Sequence, residues 1–108
     1  MRSHFYKSRA NLLIGRTIFK HGSNIEDAKS YLRSAIETSK SDQSDGRLNS
    51  IYFEASSVLA EVLISCKDVN GAIQLLTGAI ENAKNDNFWH LKLIFQLSVS
   101  FKIRNHIF

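Results

Sequence analysis

Four histidines, one cysteine and a pair of glutamates are the side chains of this 108-residue sequence that could carry metal, nucleophilic or acid–base chemistry. His4, His21, His90 and His106 are scattered, with no spacing that would converge two of them on a metal, and no glycine-rich phosphate loop precedes a helical stretch. Glu54 and Glu61 are seven apart, hence on one helical face, a placement that could be read as the carboxylate pair of a glycosidase. Acid–base work would require one of them to be buried with a raised pKa, and the residues around them describe a solvated or groove-facing pair instead. Cys66 stands alone and can form neither an internal disulfide nor a cysteine-rich zinc site. Near the end of an apolar stripe it is expected to be a packed thiol, with a reactive thiol as the alternative, and its solitude fits a reducing compartment. The expectation is a protein that is not an enzyme, with no catalytic residues, no cofactor and no metal ligands.

The chain is 44% hydrophobic and 22% charged, the composition of a folded domain rather than of a disordered segment. It contains no proline, so nothing breaks a helix internally, and turns must come from Gly, Asn, Asp and Ser. Apolar runs such as Leu12-Leu13-Ile14 are too short to span a bilayer, and the basic start lacks the apolar core of a signal peptide. The net charge of +4 is segregated. Residues 1–20 carry five Lys or Arg and residues 90–108 carry three, all without an acid, whereas residues 21–89 hold all ten acids. Basic ends could follow a phosphate backbone, but no Lys/Arg cluster is interleaved in sequence with stacking aromatics, and the plainer reading is two helices that happen to be basic.

An internal repeat organises the elements that must position these residues. Ala28, Leu32 and Ala35 recur as Ala72, Leu76 and Ala79, 44 positions later. Small, large and small residues at spacings of four and three form one helical stripe against which a neighbouring helix can come close. This is the pattern of the second helix of a tetratricopeptide (TPR) unit, at a period expected of helical solenoids. Five helices are predicted: about 3–20, closed by Gly22; about 25–39, capped by Asn24 or Ser23; about 48–65; about 70–84; and one from about Phe88 to the end. The polar stretch 40–47 reads as the longest loop.

The expected fold is therefore all-α, a TPR-like α-solenoid of two antiparallel helix pairs plus a fifth helix, in a single segment over 1–108. Repeat 1 covers about 3–40, repeat 2 about 48–85 and a partial repeat 3 about 88–106. Phe101, Ile103, Ile107 and Phe108 make no polar cap, so the chain reads as a piece of a longer solenoid.

TPR arrays offer a concave groove lined by the first helix of each pair. Aligning the helices places Arg9, Arg16 and Lys20, then Glu54, Ser57 and Glu61, then Lys92, Phe95 and Lys102 toward it, with the alternative that these are simply the polar sides of amphipathic helices. Glu61 stands where a site for a peptide's C-terminal carboxylate would want a neutral or positive donor. An extended polypeptide with both signs of charge and apolar anchors fits better.

The run Phe53-Glu54-Ala55-Ser56-Ser57-Val58-Leu59-Ala60-Glu61, followed by Phe88-Trp89-His90-Leu91-Lys92-Leu93-Ile94-Phe95-Gln96-Leu97, resembles the TPR subunit of the cohesin loading complex. The earlier stretch from Asp27 to Ala35 is similar to the matching part of that family, in the same order. The resemblance spans roughly Ala10 to Phe101 and implies an N-terminal slice of a longer TPR superhelix. It also implies a nuclear, chromatin-associated, non-enzymatic adaptor that wraps the extended N-terminal segment of the Nipped-B type loader, supports sister chromatid cohesion and leaves ATPase chemistry to cohesin. The residues alone leave two further readings open, a generic TPR adaptor of another assembly and a direct nucleic-acid binder.

Overall fold

The computed structural model describes residues 2–40 and 46–107, and among them every regular element is an α-helix. In chain order these are α1 (Arg2–His21), α2 (Ile25–Lys40), α3 (Gly46–Ser65), α4 (Val69–Asn82) and α5 (Asn87–Ile107). The fold is all-α and TPR-like: two antiparallel pairs, α1 with α2 and α3 with α4, followed by α5. Residues 41–45 of the expected loop lie outside the described residues, and the flanking helices reach in to Lys40 and Gly46.

Each short turn has its own chemistry. Gly22 adopts φ +67°, and its N–H donates to the carbonyls of Ile18 (3.0 Å) and Phe19 (3.1 Å), closing α1 in a conformation that glycine reaches without steric cost. Of the two caps considered for α2, Asn24 is the one used: its Oδ1 accepts from the N–H of Asp27 at 3.1 Å. Between α3 and α4 the N–H of Asp68 donates to Leu63 and that of Lys67 to Ile64, a Schellman turn in which Lys67, at φ +67°, occupies the left-handed position. Asp68 then caps α4 by accepting from the N–H of Gly71 at 2.9 Å, so α4 begins at Val69 and ends at Asn82, earlier than the expected 70–84. Asp86 does the same for α5, accepting from Trp89 N–H at 3.2 Å.

The helices stack as a zigzag in two layers. α2 lies against α1 and α3, α4 lies against α3 and α5, and α1, α3 and α5 touch in sequence to form the second layer. The result is a slab of 44 × 34 × 17 Å. Ala28, Leu32, Ala35, Ala72, Leu76 and Ala79 are all completely buried, so the two repeated stripes occupy equivalent interior positions. Their small members set how near the helices come. At Gly15 of α1 even a methyl group would meet Leu32 Cγ at 2.7 Å, so glycine is what lets α1 rest on α2. α3 touches all four other helices and supplies Leu48, Ile51, Phe53, Leu59, Val62 and Leu63 to one continuous core.

Cys66 departs from expectation. It is exposed, because α3 ends at Ser65 and the Schellman turn carries the thiol out beyond the apolar stripe.

Candidate functional site

The layer formed by α1, α3 and α5 carries a groove in two adjoining sections. The first, of about 570 Å³, is walled by Arg16 and Lys20 of α1, Glu54 and Glu61 of α3 and Lys92 of α5, with Phe19, Val58 and Trp89 as its apolar surface. The second, of about 320 Å³, continues along α3 and α5 between Ile64, Phe95 and Val99. Ser57, Glu61 and Lys92 border both sections.

Local packing fixes these side chains. The α1 guanidinium of Arg16 pairs with the Glu54 carboxylate of α3 at 2.5 Å, joining residues 38 positions apart in sequence. Ser57 is buried, and its hydroxyl donates to Gln96 Oε1 at 2.8 Å while its own carbonyl accepts from Gln96 Nε2 at 2.8 Å. This pair of hydrogen bonds between α3 and α5 forms the polar part of the floor where the two sections meet. Lys92 extends over the rings of Phe88 (5.8 Å) and Trp89 (5.4 Å), one turn earlier on its own helix, in a cation–π contact that restrains its ammonium where the two sections meet. Phe53 backs Trp89 from the core at a ring separation of 6.1 Å.

Of the nine residues expected along the groove, the structure brings Arg16, Lys20, Glu54, Ser57, Glu61, Lys92 and Phe95 together at these two sections. Arg9 and Lys102 are exposed farther along α1 and α5 and line neither section. Ser57 is engaged by Gln96, so it shapes the floor rather than offering a free hydroxyl. In the sequence, no Lys/Arg cluster is interleaved with stacking aromatics. Folding supplies them, because α5 turns Phe88 and Trp89 beneath Lys92 and sets them opposite Lys20.

The apolar members Phe19, Val58, Trp89, Ile64 and Val99 escaped the sequence reading as groove residues. Phe19 and Val58 line the first section 39 positions apart, the same offset at which Ser57 and Gln96 pair. Among the described residues, no three His, Cys, Asp or Glu side chains gather as a metal site, and no helix is long and apolar enough to cross a membrane. What the arrangement can do is bind: Lys20, Lys92 and Glu61, none of them in an ion pair among the described residues, surround a partly apolar floor.

Comparison with known proteins agrees with the resemblance read at the third and fifth helices. The sequence model described as cohesin loading factor matches residues 3–106, and the chain belongs to that family. It is similar to the MAU2 chromatid cohesion factor homologs of Drosophila willistoni, 29% identical over 93 residues, and Drosophila virilis, 27% identical over 92 residues. The homolog of Aedes aegypti is 26% identical over 92 residues. Each alignment covers 85% of this chain and 14% of the relative, so the chain spans a small part of the length of these proteins. No solved structure matches the chain significantly.

Proposed function

We propose that this member of the cohesin loading factor family is a non-enzymatic adaptor whose α1–α3–α5 groove holds an extended segment of the large Nipped-B type loader. In this reading, it contributes to cohesin loading and sister chromatid cohesion in the nucleus, and it associates with chromatin through the assembly rather than by itself. The helices act as TPR-like units over about 3–40 and 48–85, with a partial unit over 88–106. Arg9, Arg16, Lys20, Glu54, Ser57, Glu61, Lys92, Phe95 and Lys102 are the candidate partner-binding positions.

The observation that carries this reading is the mixed character of the groove. Its exposed charges have both signs and its floor is partly apolar, which suits an extended polypeptide better than a small anion or a uniform polyanion. Family membership supports a role in cohesin loading. The test is capture of the loader's N-terminal segment by the purified chain, compared with a variant carrying Trp89→Ala and Phe95→Ala. Segment binding that is lost in the variant supports the proposal, and binding indifferent to both substitutions removes it. The aromatic platform under Lys92 favours a second reading, single-stranded nucleic acid, whose mark would be an affinity falling steeply with salt.

A further inference from the structure

An extended polypeptide laid in a groove brings its own main-chain N–H and C=O groups, and those leaving water need partners there. At the border between the two groove sections a donor and an acceptor face both of them. Glu61 and Lys92 line both sections, both are exposed, and neither belongs to an ion pair among the described residues. The neighbouring polar groups are committed otherwise. Glu54 is held by Arg16, and Ser57 and Gln96 satisfy each other. Lys92 is held over two aromatic rings, which limits the side-chain freedom it would lose on binding.

On either side of this border lies an apolar socket. One is formed by Phe19, Val58 and Trp89, the other by Ile64, Phe95 and Val99. Along α5, Trp89 and Phe95 are separated by a rise of about 9 Å at helical pitch. A peptide in the extended polyproline II conformation, at three residues per turn and about 3.1 Å per residue, covers that distance in three residues and brings its side chain back to the same face.

We propose that Glu61 and Lys92 form a main-chain clamp between two anchor sockets, Glu61 accepting a peptide N–H and Lys92 donating to a peptide carbonyl. The occupant is an extended peptide in the polyproline II conformation, with two apolar side chains on one face at positions i and i+3 and an acidic residue reaching Lys20. This rests on the groove being a polypeptide site. It adds the spacing of the anchors, and it gives Glu61 and Lys92 a role that does not depend on the partner's charge sequence.

The experiment uses short fluorescent peptides carrying one aspartate and two leucines, titrated against the whole chain by anisotropy. One set has the leucines at i and i+3, a second has them adjacent, and a third is the i, i+3 peptide N-methylated at the central bond. The i, i+3 peptide should bind more tightly than the adjacent one. N-methylation or Glu61→Ala should each weaken it about tenfold, the loss expected of one hydrogen bond to a charged group. N-methylation should add little once Glu61 is alanine, and Lys92→Met should weaken all i, i+3 peptides. Glu61, Lys92 and Phe95 are all exposed, so helicity should be unchanged in these variants. Binding that is abolished by Trp89→Ala and Phe95→Ala but insensitive to N-methylation and Glu61→Ala would overturn the clamp and leave the groove standing. Absence of binding by every peptide, up to the limit of solubility, would overturn both.

Discussion

Single residues in the groove divide into those that hold it and those left free to meet a partner. Gln96 belongs to the first kind. It satisfies both the hydroxyl and the carbonyl of Ser57, so Gln96→Leu should destabilise the chain by about 1–3 kcal/mol, read as a lowered denaturation midpoint with unchanged m-value. The Arg16–Glu54 pair is half exposed and contributes at most about 1 kcal/mol to stability, so its larger effect is on groove charge. Reversing both carboxylates, Glu54→Lys with Glu61→Lys, should therefore leave helicity intact while slowing association with the proposed loader segment and altering its salt dependence. Surface plasmon resonance at two ionic strengths measures this, and an unchanged association rate would remove both glutamates from the site. The charged members of the groove were legible in the sequence because polar residues at helical spacing stand out. Its apolar members were not, since Phe19 or Trp89 in an amphipathic helix reads as core until the neighbouring helix shows which flank stays open.

At the scale of elements, the helices were legible because their signals are local. A small-large-small stripe, a glycine at the end of α1 and an acidic first turn in α2 all lie within one helix or its cap. The errors fall where a turn is built against the usual chemistry. In the α3–α4 turn the left-handed position is taken by Lys67 instead of glycine, which hid the Schellman turn, the cap on Asp68 and the exposure of Cys66. The same residue yields a prediction with a definite sign. Lys67→Gly should stabilise the chain by about 1 kcal/mol, since it relieves the strain of a side chain in the left-handed region, whereas glycine inside a helix would destabilise it. A thermal melt checks the direction, and a lowered midpoint would show that Lys67 makes contacts worth more than the strain. The repeated stripes are tested by Ala35→Leu and Ala79→Leu. Each should cost about 1–3 kcal/mol by overpacking, because both positions are fully enclosed between helices.

Across the whole molecule, stability is unevenly distributed because each helix depends on its neighbours. α3 packs on all four others, whereas α5 is covered on one side only, by α4 and α3. Amide exchange should therefore be slowest in α3 and fastest toward the end of α5. The uncovered side of α5 is apolar: Leu91 is 68% exposed and Phe95 72%, with Phe88, Ile94, Val99 and Phe101 also open to solvent. This also explains why α5 was the hardest helix to orient from its sequence. Its apolar residues encircle it, so no single face declares itself as the buried one. An apolar surface of this kind on a chain of this size favours association. The opposing force is charge, as α5 carries Lys92, Lys102 and Arg104 and no acid, so two such faces repel each other at low ionic strength. The isolated 108-residue chain should accordingly self-associate weakly, and more strongly as salt screens the like charges. Leu91→Glu with Ile94→Glu should keep it monomeric without changing its helicity, because both side chains already face water. Sedimentation velocity over a concentration series at low and high salt reads this directly, and a wild-type chain that stays monomeric throughout would show that the α5 face is not adhesive.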